Sequence, residues 1–248
     1  KSTLKTIIYE IPVDLTIDVP GRFSVEPFSN ILALGNMETG GIEYGARIMT
    51  KSIFKLLAFP VDRYVLVEED AQDVVEMVFR GRLKFISDID LIQLKDMVKT
   101  DHSLRELVGI YRFSNSLPDD RFLDTEISET HISNPAILDE ELMDITFDSV
   151  LSQEKKSVAV LNGTNEPGVA RFGSRVIRNL GGRVVATANT NESYDESILI
   201  VDDMTAESTR IVSQMFDIKN IILYSNIKGF DENEINRSDI TIIFGLDF

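Results

Sequence analysis

The sequence predicts an α/β protein of two domains, each a mixed β-sheet packed with helices. Three observations carry that prediction. Short apolar runs suited to buried strands alternate with apolar stripes at helical spacing. The alternation is complete once before about residue 130 and again after about residue 156. Between them the chain is polar and acidic, which reads as a linker with little structure of its own. The expected organisation is a first domain over 1–130, an acidic linker over 131–155 and a second domain over 156–248.

In the first domain, residues 4–11 read as a strand that Pro12 stops. Leu15, Ile17 and Val19 alternate with polar residues and give a second short strand, ending at Pro20-Gly21. Residues 23–41 carry many turn residues and read as a loop. Gly40-Gly41 then precede a helix whose stripe is Ile42, Ala46, Met49, Ile53, Leu56 and Leu57. Phe59-Pro60 closes it, because a residue before proline avoids the helical region. Residues 64–67 read as a strand, 71–79 as a helix and 89–113 as two acidic-and-apolar helices. Residues 122–127 supply one more strand, after a loop around Ser114-Asn115-Ser116.

The second domain opens with Val158-Ala159-Val160-Leu161, a buried strand, broken by the turn Asn162-Gly163-Thr164. After Pro167, Val169, Phe172, Val176 and Leu180 share one helix face, so Phe172 and Val176 are expected against the sheet and Arg171, Arg175 and Arg178 in water. Gly181-Gly182 ends the helix. Strands follow at 183–190, 197–201, 220–224 and 239–244, with a helix from Thr205 presenting Ala206, Val212, Met215 and Phe216. The strand–turn–helix at 157–182 has two readings. The free N–H groups of a helix start can hold an anion, or the turn is structural. It is no standard nucleotide loop: G-x-G-x-x-G is absent, and Val169 stands where a phosphate loop needs lysine.

Composition narrows the function. The chain has 25 basic and 41 acidic residues, a formal charge of -16. Residues 1–155 hold 16 basic and 28 acidic residues, so the excess sits mainly in the first domain. Such a field repels phosphate backbones and anionic lipid surfaces, and no nucleic-acid partner is expected. There is no cysteine, hence no disulfide and no thiolate chemistry. His102 and His131 stand apart without ligand-like neighbours, so no metal site is expected from them. The acidic groups 68–70, 119–120, 139–141 and 202–203 lack calcium-loop spacing and read as solvated faces. No nucleophile motif appears, and no catalytic residue is assigned. No apolar run reaches the roughly 18–20 residues of a membrane helix.

Residues 158–170 and 239–248 carry a family resemblance. The first reads V-x-V-L-N-G-T-x-x-x-G-x-A, the second D-I-x-I-I-F-G-x-D-F. Both match the LytR C-terminal domain in order and spacing, across about the last ninety residues. The first domain is similar to the LytR-CpsA-Psr family. Its landmarks are Ile11-Pro12-Val13-Asp14, Ile17 to Gly21, Gly40-Gly41, and Leu56-Leu57-Ala58-Phe59-Pro60-Val61-Asp62-Arg63-Tyr64-Val65.

The resemblance implies a protein outside the cytoplasmic membrane of a bacterium, anchored by a segment upstream of Lys1. Active relatives attach glycopolymers from lipid pyrophosphates to peptidoglycan, using arginines and magnesium. Here Val13 replaces the arginine of I-P-R-D, and the later arginine-rich stretch is missing. The expectation is a non-catalytic cell-envelope binding or scaffolding protein, without a cofactor, whose partner is cell-wall glycan or another envelope protein. The alternative is a glycopolymer phosphotransferase using Mg2+. Candidate ligand residues are Asp14 and Asp62, at matched landmarks, and Asn162, Gly163 and Thr164, at the turn. Each also has a structural reading, as a turn or cap residue.

Overall fold

The computed structural model describes residues 6–21, 23–37, 41–67, 71–82, 98–146, 149–227 and 235–248. The chain forms two compact units, one of residues 1–56 with 61–133, the other of 57–60 with 134–248. The protein is α/β, as its pattern of apolar runs predicts.

The first unit carries three separate two-stranded ladders among its described residues, where a single mixed sheet was expected. β1 (Thr6–Glu10) pairs in parallel with β6 (Phe122–Glu126). β2 (Thr16–Val19) forms a hairpin with β3 (Ser24–Pro27), and β4 (Val65–Val67) runs antiparallel to β5 (Val98–Thr100). Leu15, Ile17 and Val19 are buried, as their alternation predicts. Residues 23–41, read as a loop, instead contain β3 and helix α1 (Phe28–Met37). Gly35 of α1 lies against Gly45 of helix α2 (Gly41–Leu57) so closely that a β-carbon on Gly35 would stand 2.1 Å from the Gly45 α-carbon. Glycine here permits close helix contact, and its sequence signal as a breaker misleads.

Helix α3 (Gln72–Phe79) falls where expected. The two helices expected over 89–113 fall partly outside the described residues. Within them stand β5 and helix α4 (Leu104–Ser116), whose start is fixed by a capping box between Ser103 and Glu106. The expected loop at Ser114-Asn115-Ser116 is the last turn of α4. The acidic group at 68–70 also lies outside the described residues. Helix α5 (Glu129–Ser133) ends this unit.

The expected linker, 131–155, is largely helical: α6 (Ala136–Thr146) and α7 (Val150–Glu154) follow α5. Its scattered apolar residues are the reason, since Leu138, Leu142 and Leu151 are buried in the second unit.

The second unit is built on one five-stranded sheet. Its strands are β7 (Ser157–Asn162), β8 (Arg183–Asn189), β9 (Ile198–Val201), β10 (Asn220–Leu223) and β11 (Ile240–Phe244), in the order β10-β9-β11-β7-β8. β7, helix α8 (Val169–Asn179) and β8 form one parallel β-α-β unit. β9, helix α9 (Glu207–Met215) and β10 form another. The last strand, β11, enters between them, parallel to β7 and antiparallel to β9. Every residue of β7, β9 and β11 is buried. Helix α8 meets the sheet at Gly173, where an added β-carbon would stand 2.4 Å from the Phe244 ring.

Two aspartates flanking β11 lock this arrangement. Asp239 Oδ2 accepts from the Ser157 N–H and Oγ, both at 2.7 Å, at the start of β7. Asp247 Oδ1 accepts from the Ser197 N–H and Oγ, both at 2.7 Å, just before β9. Phe248 then stacks on Phe244, with centroids 4.1 Å apart. The conspicuous ending of the sequence is therefore a structural clamp.

The phase of α8 departs from expectation. Val176 is buried, but Phe172 is half-buried, packing on Phe248 at 6.5 Å. Arg175 is not in water: its Nε donates to Asp139 Oδ1 at 2.7 Å and Oδ2 at 2.9 Å, with both side chains under a fifth exposed. The helix is covered on two sides, by the sheet and by α6, so a one-sided wheel misplaces Arg175. Asn179, fully buried, donates to Asp139 as well.

Candidate functional site

β7 ends at Asn162, where the chain turns towards α8. Asn162 is 6% exposed and uses both ends of its amide. Its Oδ1 accepts from the Thr164 N–H at 3.0 Å and Oγ1 at 2.7 Å, while its Nδ2 donates to Glu166 O at 2.9 Å. Thr164 Oγ1 accepts from the Glu166 N–H at 3.0 Å. These are Asx- and Ser/Thr-turn bonds. The Gly163 N–H donates to Phe244 O at 2.8 Å, and Gly163 O accepts from the Tyr194 N–H at 2.9 Å. The structure thus brings Asn162, Gly163 and Thr164 together as one hydrogen-bonded corner of the sheet.

Beside that corner lies an open groove of about 200 Å³, lined by Asn162, Gly168, Ala170, Arg171, Thr187 and Asn189 with one further residue. Parallel pairing sets Asn189, at the end of β8, opposite Asn162. The Asn162 Nδ2 stands 3.5 Å from Asn189 Oδ1. Thr187 is tied to Ser174 of α8, hydroxyl to hydroxyl, at 2.7 Å. Gly168, with φ +94°, begins α8 without a side-chain cap, so the first N–H groups of the helix keep no intrahelical partner. Arg171 and Asn189 are exposed. Reading the residues one at a time misses Asn189; the signal was the β-α-β pattern itself, which places both strand ends side by side.

The first unit offers a different picture. Asp14 and Asp62 are exposed, and neither forms a hydrogen bond or ion pair with another described residue. Among the described residues no group of three or more acidic, histidine or cysteine side chains is placed to hold a metal. Two arginines of this unit face carboxylates closely. Arg80, its side chain 10% exposed, meets Asp124 at 2.6 Å, Glu76 at 2.7 Å and Glu10 at 3.5 Å. Arg63 meets Glu106 at 3.4 Å and Asp101 at 3.8 Å. Glu106 is held below the usual carboxylate range, first by the Ser103 backbone N–H and then by its hydroxyl.

The comparisons with known proteins concern the second unit. Residues 155–248 match the protein-family model of the LytR C-terminal domain, described as LytR cell envelope-related transcriptional attenuator. The domain points to a cell-envelope-associated protein of the LytR kind. The match covers well under half of the chain, and no family match supports the LytR-CpsA-Psr resemblance of the first 130 residues. No curated protein and no solved structure matches the chain. No helix among the described residues is long and apolar enough to cross a membrane.

Proposed function

We propose that this protein is a non-catalytic binding or scaffolding component of the bacterial cell envelope, acting outside the cytoplasmic membrane on cell-wall glycan or a second envelope protein. The observation that carries the reading is how charge is used. Two arginines of the first unit, the embedded Arg80 and the exposed Arg63, are engaged by carboxylates of the same unit. A diphosphate at either arginine would have to displace those partners, and the unit as a whole is strongly acidic. The match of residues 155–248 to an envelope-related family supports the location.

The test has two arms. The purified chain should sediment with isolated cell-wall sacculi. Calorimetric titration with a short-chain polyprenyl pyrophosphate and Mg2+ should show no binding. Micromolar or tighter binding of the pyrophosphate, abolished by Asp14→Ala, would establish the phosphotransferase alternative and defeat this reading.

A further inference from the structure

We propose that the groove at the ends of β7 and β8 binds an oxyanion, a carboxylate or a phosphate, carried on a sugar-sized unit of an envelope polymer. Arg171 and the Asn189 amide are its donors. The assignment deepens the envelope-binding reading and rests on it.

Three features lead there. The first is the donor set. In the second unit Arg175, Lys156 and Arg210 each meet a carboxylate. Arg171 lines the groove and meets no acceptor among the described residues. Asn189 turns its Oδ1 towards Asn162, and its Nδ2 has no acceptor there. The free groups of the groove are therefore hydrogen-bond donors, one of them charged, and a ligand must bring acceptors. The uncapped start of α8 lies on the same wall and adds positive field.

The second feature is size. About 200 Å³ is below the roughly 300–1,000 Å³ of pockets for drug-sized ligands. One sugar-sized unit with one anionic substituent fits that space; an extended nucleotide does not. The third feature is rigidity. Asn162 spends its amide on the turn and on Asn189, and Thr187 is tied to Ser174, so the wall is fixed before a ligand arrives. The net charge of -16 opposes anions at long range, so binding depends on the short contacts. The expected affinity is about millimolar.

The test is a nitrogen-15 NMR titration of the full chain with three sugars. N-acetylmuramic acid supplies a carboxylate, N-acetylglucosamine 1-phosphate supplies a phosphate, and N-acetylglucosamine is neutral. Saturable shifts at residues 168–171 and 189 are expected with at least one anionic sugar. Which one responds identifies the source of the oxyanion. Arg171→Gln should weaken that binding at least about tenfold with the remaining spectrum unchanged, and Asn189→Ala should weaken it too. An equal response to the neutral sugar, or no saturable response to either anion by about 50 mM, would overturn the proposal. So would unchanged binding in Arg171→Gln. Sacculus sedimentation by the wild type without any groove response would sink the groove alone and leave the broader envelope reading standing.

Discussion

The two units of this chain use their strands in opposite ways. In the second, β7, β9 and β11 are buried at every position. In the first, β1 and β6 are half-buried to exposed along their whole length, and Leu123 of β6 is 41% exposed. A parallel strand is stable when both faces are covered. The second unit meets that condition in a single sheet, with side chains packed on both of its faces. In the first, parallel pairing is confined to a two-stranded ladder among the described residues. The difference teaches that apolar content alone does not set burial: β7, β9 and β11 each have a strand on both sides, whereas β1 and β6 pair only with each other among the described residues. Stability should accordingly be concentrated in the second unit.

The largest test of that comparison is the core aromatic. Phe244 is fully buried between α8, Phe216 and Phe248. Phe244→Ala should cost the second unit about 3–5 kcal/mol in urea unfolding. Ile7→Ala, in half-buried β1, should cost the first unit about 1 kcal/mol. Equal costs would break the comparison. We propose further that the units unfold separately, each with its own core. Limited proteolysis should cut near residues 128–135 and leave two resistant fragments. Protection of that whole stretch would show one cooperative body.

Next in size is the contact between helix and sheet. Gly173→Ala forces a β-carbon into the Phe244 ring and should cost about 1–3 kcal/mol. Phe244→Leu in the same chain should recover part of that loss. Additive costs would place Gly173 away from the ring.

The clamp at the base of β7 gives a pH-dependent effect. Asp239 is held below the usual carboxylate range, first by the Ser157 backbone N–H and then by its hydroxyl. A depressed carboxylate contributes stability above its unfolded value of about 3.9, and loses it as pH falls through the lower folded value. Asp239→Asn should therefore lower the melting temperature at pH 7 and leave it nearly unchanged near pH 2. A mutant deficit that persists at pH 2 would assign the loss to packing instead.

The smallest effect sharpens the reading of α8. Arg175→Ala removes the charged partner of Asp139, leaving it Asn179, and should cost about 1–2 kcal/mol, less than a fully buried pair because both groups keep some solvent. Arg178→Ala, on the exposed face, should cost under about 0.5 kcal/mol. Equal costs for the two arginines would restore the simple amphipathic wheel.

Much of the second unit was determined by its sequence alone. Runs such as Val158 to Leu161 and Ile240 to Phe244 are too short and apolar for surface helices, so strand identity and order follow from periodicity. The turn at Asn162-Gly163 and the helix from Val169 follow equally from local chemistry. So does the match of both ends of the second domain to one family, since residues 155–248 are a continuous stretch with its motifs at its borders. Tertiary structure decided what local rules cannot. It made Gly35, expected in a loop, a helix contact with Gly45, because only a facing helix gives an absent β-carbon its value. It folded residues 136–146 and 150–154 into helices, because Leu138, Leu142 and Leu151 find a core only in the assembled second unit. It paired Arg175 with Asp139 across thirty-six positions of sequence and set Asn189 beside Asn162. Burial and pairing are properties of distance in space, and a sequence read by periodicity reports only the near neighbours along the chain.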